Sequence, residues 1–371
     1  MKIETIAVHA GQKIDSATGA VAPPIHMSTT FVRDAEGNYP HGFVYGRGNN
    51  PTREGLERAL AAIEGGAVAA AFSSGSAAIS AVFQALPANA HAVIADDVYH
   101  GTRKLIRDLF VPLGLQADFV DLSDVEQAGR AIRAGTKLVW TETPSNPLLK
   151  ITDLPAVADL AHKVGALCVS DNTLAPIIQR PLDHGIDFVM HSTTKYLGGH
   201  SDVMGGALIA RESNELFEQI RNVQGTGGAI PSPFDCWLIH RGIRSLPWRM
   251  RAHCENAARI AEFLNKHSAV ERVHYPGLTN HRGHEIAVRQ MTPFGALFSF
   301  EVKAGRDAAV RAAGRTRLFV QATSLGGVES LIEHRASIQG EDPRTPQGLL
   351  RLSVGLENAD DLIADLDQAL A

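Results

Sequence analysis

The sequence is short of cysteine, of aromatic side chains and of unbroken apolar runs. Cysteine occurs three times in 371 residues, as Cys168, Cys236 and Cys254. An odd number at wide spacing makes neither a disulfide framework nor a zinc motif, and describes buried, reduced thiols; no metal site is expected. No apolar stretch reaches the roughly 18 residues of a spanning helix. The opening MKIETIAVHAGQ lacks the apolar core of a signal peptide. The expectation is a cytoplasmic protein with no membrane partner. Positive charge is not in excess either: 35 Lys and Arg stand against 40 Asp and Glu, a net charge of −5. Without a basic footprint, nucleic acid is not an expected partner.

What is present is a hydrophobic content of 44% and 34 glycines, the composition of a soluble α/β enzyme. The length suits two or three domains. Residues 1–50, with pieces such as APPIHMSTTF and GNYPHGFVYGRGNNPT, read as an arm with little core of its own. From residue 52 a regular alternation begins. TREGLERALAAIEGG has helical periodicity and stops on a glycine pair, AVAAAF reads as a buried strand, and SAAISAVFQAL as a helix. HAVIAD, KLVWTETP, ALCVSDNT, DFVMH and GALIAR are further strands, several of them separated by helices at HGTRKLIRDLF and LPAVADLAHKV. The pattern predicts a mostly parallel sheet covered on both faces, in a large domain spanning 51–232. The chain loosens at GTGGAIPSPFD. A long helix at SLPWRMRAHCENAARIAEFLNKH then leads into strands VERVHYP, ALFSFEV, RLFVQAT and LLRLSVG, with helices at DAAVRAAG and the C-terminus. This predicts a smaller α+β domain, 233–371.

In parallel α/β sheets ligands bind beyond the carboxyl ends of the strands, so the residues that follow each strand matter most. Gly75 and Ser76 open a helix after AVAAAF, a place for a phosphate; an N-capping serine with a packing glycine explains them equally well. Tyr99 follows HAVIADDV and can stack on a flat ring. Glu142 and Asn146 follow KLVW, and Asp171 ends ALCVSD. After DFVMH come Ser192 and Thr194, hydroxyls able to reach a phosphate, and Lys195. Each has an ordinary explanation alone; together they match one cofactor. Pyridoxal 5'-phosphate needs a lysine for its aldehyde, an acid for its ring nitrogen, a phosphate cradle and a flat neighbour.

With these residues in view, the chain resembles the transsulfuration, or Cys/Met-metabolism, family of pyridoxal-phosphate enzymes. The likeness runs from VHAGQ to the C-terminus, through ETPSNP, DNT, HSTTKYLGGHSDVMGG, TSLGGVESLIEH and RLSVGLE. It implies the fold-type I architecture: an arm, a seven-stranded cofactor domain and a smaller C-terminal domain, assembled as a homotetramer of two active dimers. It implies Lys195 as the Schiff-base lysine, Asp171 as partner of the ring nitrogen, and Tyr99 on the ring face and in proton handling. Gly75, Ser76, Ser192 and Thr194 would hold the phosphate. Tyr45 and Arg47 would reach the phosphate of the neighbouring subunit. Arg351 would clamp the substrate carboxylate, helped by Asn146 and Ser324, with Glu142 at the substrate edge.

The implied activity is γ-synthase or γ-lyase chemistry on cystathionine or activated homoserine, the alternatives being a cystathionine or cysteine-conjugate β-lyase and a homoserine-ester sulfhydrylase. An aminotransferase is disfavoured by SLGGVES and RLSVGLE, and a non-catalytic relative by the joint presence of Lys195, Asp171, Tyr99 and Arg351. Three departures bear on substrate choice. Val44 and Thr323 stand where many γ-synthases and γ-lyases carry acids suited to the distal ammonium of cystathionine, leaving Glu329, Glu341 or Asp342 as other acids for that group. Gly101 stands where methionine γ-lyases carry a cysteine. The usual HPASMTH is here HRASIQGED, which brings in Arg335.

Overall fold

The computed structural model describes residues 1–339 and 345–371. Seven strands form the larger sheet: β1 (Val68–Phe72), β2 (His91–Ala95), β3 (Gln116–Val120), β4 (Thr136–Glu142), β5 (Leu167–Asp171), β6 (Phe188–His191) and β7 (Gly206–Ala210). Their order is β1-β7-β6-β5-β4-β2-β3. The pairs β2–β3, β2–β4, β4–β5 and β5–β6 are parallel, and β7 runs antiparallel to both of its neighbours. Three of these strands, β2, β6 and β7, are buried along their whole length, and β1, β4 and β5 at all but one residue, which is why they read as continuous apolar runs rather than alternating ones.

A second sheet is built from β8 (Val270–His274), β9 (Leu297–Val302), β10 (Val320–Gln321), β11 (Leu331–His334) and β12 (Leu349–Ser353), in the order β10-β11-β12-β9-β8. One apolar cluster joins the two sheets. It takes Leu60 and Ile63 from the helix Pro51–Glu64, Val189 and Ile209 from the larger sheet, and Phe298, Phe300 and Leu352 from the smaller one. The other face of the larger sheet packs around Trp140, whose ring stacks on Phe83 with centroids 5.5 Å apart.

Local signals explain where the helices begin. Asn50 caps the helix Pro51–Glu64 by accepting from the Thr52 and Arg53 amides, and Gly65 ends it at φ 74. Ser74 caps the helix Gly75–Gln84 by accepting from Ala77 N. This leaves the Gly75 and Ser76 amides, at the first turn, without intrahelical acceptors.

The structure corrects the sequence reading at five places. The arm is not wholly without core, because the helix Ile3–His9 buries Ala7. Strand β3 had not been expected; it is an edge strand, and its exposed and half-buried residues lack an apolar run. The segment expected to loosen is helical up to Gly227. Only Val320–Gln321 of RLFVQAT pairs as a strand. Beyond Leu105 the helix His100–Leu105 continues as a π-helical turn, Ile106–Phe110.

Two features bring the strand ends into one place. Glu142 and Asp171 are directly paired at the ends of β4 and β5. At the start of β7, Gly206 lets the strand pass against the Ser74 turn: an added Cβ would lie 2.1 Å from Ser74 O and 2.9 Å from Gly75 Cα. Gly206→Ala is therefore expected to push β7 away from the helix start and to destabilise by about 1–3 kcal/mol. Thermal unfolding checks this; an unchanged Tm would mean that the contact relaxes freely.

Candidate active site

A cavity of about 300 Å³ opens where these strand ends meet the smaller sheet. Gly75, Ser76, Tyr99, Glu142, Asn146, Asp171, Ser192, Thr194, Lys195, Ser324 and Arg351 all line it. The sequence-derived candidates thus come together, apart from Tyr45 and Arg47. Those two lie exposed on the arm, with the Arg47 guanidinium donating to Gly225 O. Of the alternative acids, Glu329 is bonded by Ser201 Oγ and does not line the cavity, whereas Glu341 and Asp342 lie outside the described residues.

Lys195 Nζ donates to Ser324 Oγ at 2.9 Å. Burial first, and then the nearby Arg351 guanidinium, lower its pKa, against a smaller opposing pull from Glu333. Ser324 has φ 139, a strained backbone for a residue with a side chain. The turn containing it lies directly on the lysine backbone, because a Cβ on Gly326 would meet Tyr196 N at 2.7 Å.

Asp171 is buried, and its Oδ1 accepts from Thr173 N at 3.0 Å. Burial raises its pKa, opposed by the Thr173 hydroxyl and amide and by His191. Glu142 lies alongside. Burial, and then the Asp171 charge, push it well above the ordinary carboxylate range, although its Oε2 accepts from Tyr99 N at 2.6 Å. Two buried carboxyls side by side do not both ionise. Glu142, which lacks the Thr173 donors, is the more strongly raised of the two. Glu142, expected at the substrate edge, lines the cavity, and its Oε2 holds the Tyr99 backbone. The Tyr99 ring is half exposed and is placed closely enough that a Cβ on Gly101 would meet its Cε1 at 2.3 Å.

Near Ser192 the backbone comes close to the helix start: a Cβ on Gly75 would meet Ser192 Cβ at 3.0 Å. The Ser192 amide donates to Thr173 Oγ1 at 2.8 Å. The Thr194 hydroxyl ties to Gly205, accepting from its amide at 3.1 Å and lying 3.2 Å from its carbonyl oxygen.

Arg351 Nη1 donates to Asn146 Oδ1 at 3.3 Å, and Nη2 donates to Ser324 O at 3.1 Å. Nη2 also meets Glu333 Oε2 at 2.8 Å. Burial, with Arg335 adding to it, lowers the guanidinium pKa to about 10. It remains charged near neutrality. Sequence reasoning passed over Glu333 and the structural part of Thr173. The signal for Glu333 was an acid inside the apolar LIEH, opposite an arginine inside the apolar LLRLS: the two residues are direct partners across β11 and β12.

Comparison with known proteins decides the family. The family model described as Cys/Met metabolism PLP-dependent enzyme matches residues 4–371. The chain belongs to this family. It is 50% identical over 373 residues to a cystathionine γ-synthase of Mycobacterium tuberculosis, covering 99% of this chain and 96% of that one. It is 46% identical over 377 residues to a cystathionine β-lyase of Lactococcus lactis, at 99% and 98% coverage. A solved structure of cystathionine γ-synthase from Xanthomonas oryzae in complex with aminoacrylate and cysteine superposes with a TM-score of 0.96 at 44% identity, covering 100% of this chain and 98% of that one.

As a family member the chain is a pyridoxal-phosphate-dependent enzyme, and its cavity fits that group. Among the described residues the buried Asp171 carboxylate makes no ion pair, which suits a protonated ring nitrogen. Free helix amides beside Ser192 suit a phosphate, and a desolvated lysine amine suits an aldehyde.

The Glu142 carboxyl has a measurable signature. Its folded pKa lies above the ordinary 4.5, so its proton-linked stability is complete below that value and is lost as the pH rises through the raised one. Glu142→Gln keeps an acceptor for Tyr99 N and removes this loss. In the cofactor-free protein, the Tm gain of the variant over the wild type should grow as the pH rises above the ordinary carboxylate range. A gain that stays constant with pH would place the proton elsewhere.

Proposed function

We propose that this enzyme catalyses γ-replacement, joining an amino-acid thiol to Cγ of an activated homoserine. The C–S bond forms, the C–O bond to the ester group breaks, and the thiol proton ends in solvent with the departing acid. The convergence of Lys195, Asp171 and Arg351 on one cavity carries the reading, in a chain half identical to a cystathionine γ-synthase. A β-lyase relative at 46% identity marks the competing chemistry.

In this reading Lys195 holds the cofactor aldehyde, Asp171 its ring nitrogen, Tyr99 its ring, and Gly75, Ser76, Ser192 and Thr194 its phosphate. Tyr45 and Arg47 reach the phosphate of a neighbouring subunit, which gives an exposed arm of residues 1–50 its purpose beside the units 51–232 and 233–371. When bound, pyridoxal phosphate accepts the electrons left at the substrate carbon.

Arg351 grips the α-carboxylate through donors left free by Asn146 and Ser324. That grip fixes Cα near Lys195 Nζ. Once the substrate amine has displaced Lys195 from the aldehyde, the lowered pKa of the freed lysine favours the neutral amine. That amine would take the Cα proton, give it up, and then take a proton from Cβ. Tyr99 lies near enough to Arg351 to influence it electrostatically, and its phenol is a candidate for delivering a proton at the substrate's far end. The assembly is a homotetramer of active dimers, in the cytoplasm.

A product panel tests the chemistry. Activated homoserine with cysteine should yield a thioether. α-Ketobutyrate alone would indicate γ-elimination, and pyruvate from cystathionine would indicate β-elimination; either as the main product overturns γ-replacement.

The shared site has its own test. Lys195→Ala and Arg47→Ala are each expected to be nearly inactive as single species. Mixing them should restore part of the activity, since one site in a mixed dimer regains both groups. No recovery under proven subunit exchange would confine each site to one chain.

A further inference from the structure

Arg335 lines the same cavity as Lys195 and Arg351 and is only 4% exposed. Its Nη1 donates to Glu333 Oε2, the same oxygen that Arg351 Nη2 meets at 2.8 Å. The other oxygen, Glu333 Oε1, accepts from Thr323 Oγ1 at 2.6 Å. One carboxylate therefore serves two guanidiniums and a hydroxyl. Burial would raise its pKa, but Arg351, Thr323 and Arg335 together hold it below the ordinary value, so it stays ionised and engaged. Among the described residues, Arg335 Nε has no hydrogen-bond partner, and a buried donor left unpaired is costly.

The other acids of the cavity are not available to a substrate's far end. Glu142 Oε2 is bonded by Tyr99 N and burial disfavours its ionised form, and in the reading above Asp171 belongs to the cofactor ring. Once an α-carboxylate occupies Arg351, no lining carboxylate among the described residues is left uncommitted for an ammonium, whereas Arg335 still offers a desolvated donor to an anion. A like charge beside a buried guanidinium is disfavoured, and a carboxylate there gains a charge-assisted hydrogen bond.

We propose that Arg335 reads the distal end of the substrate, selecting a second carboxylate and disfavouring an ammonium. This rests on the reading of the cavity as an amino-acid site. The second carboxylate has two possible sources: the acyl half of the activated homoserine, or the carboxylate of the incoming thiol amino acid.

Three amino acids of similar length separate the charges: 2-aminoadipate carries a distal carboxylate, norleucine none, and lysine an ammonium. Calorimetric titration of the holoenzyme should rank aminoadipate about tenfold or more above norleucine, with lysine weakest. Arg335→Gln should abolish the aminoadipate-to-norleucine ratio, and Arg335→Lys should retain part of it. Lysine binding to the wild type as tightly as aminoadipate overturns the proposal, whether or not the variants fold. So does an Arg335→Gln enzyme weakened equally toward all three.

Steady-state arms assign the source. Loss in Arg335→Gln of a preference for succinyl- over acetyl-homoserine points to the acyl half. Loss of a preference for cysteine over hydrosulfide points to the thiol. Persistence of both preferences overturns the proposal. The titrations need no turnover, so a wild type that forms no thioether would defeat γ-replacement while leaving the Arg335 result readable.

Discussion

Ionised and ionisable groups are gathered where water is scarce, and every other feature of the site accommodates that. Glu142 and Asp171 stand side by side at the ends of neighbouring parallel strands, where desolvation and mutual repulsion favour a single negative charge. Lys195 and Arg351 are both depressed in pKa, first by burial. Such an arrangement costs stability. It persists because the surrounding strands are buried along most of their length and because the amide and hydroxyl of Thr173 and the hydroxyl and carbonyl of Ser324 supply partners without adding charge. The residual cost is what a bound cofactor and substrate relieve.

The smaller sheet acts as the second half of the site rather than as an appendage. Its turn at Ser324–Gly327 lies on the Lys195–Tyr196 backbone, fixed from behind by Ser353 Oγ accepting from Gly326 N at 2.9 Å. Ser299 Oγ donates to Pro147 O at 2.8 Å, tying the smaller sheet to the loop that carries Asn146. Arg351 then touches both halves at once, through Asn146 on one side and Ser324 on the other. Any movement between the two sheets would be felt first at that guanidinium.

The larger sheet was legible in the sequence because buried parallel strands leave unbroken apolar runs. The residues that follow such strands, Tyr99, Glu142, Asp171 and Lys195, could then be placed at a common edge. Edge and short elements were not legible. Gln116–Val120 is exposed or half-buried throughout, and the helix Glu215–Gly227 is disguised by its own glycines. Glu333 was missed because LIEH has four residues, follows a glycine-rich turn and contains a charge. Its meaning appears only when the opposing Arg351 is known. The arm remained legible only as a segment that cannot bury itself: Tyr45 and Arg47 are exposed and do not line the cavity within one chain.

The antiparallel pairing of Glu333 with Arg351 has a consequence for how the smaller sheet finds its alignment. Successive side chains on a strand face opposite ways, and Leu350 and Leu352, on either side of Arg351, are fully buried in the apolar cluster. A slip of β12 by one residue would turn the guanidinium into that cluster and strand Glu333 opposite leucine. Both errors would bury unpaired charge, so the misaligned sheet is strongly penalised. The pair therefore acts during folding, before any ligand arrives, as a keying element that admits one alignment of the strands and rejects its neighbours.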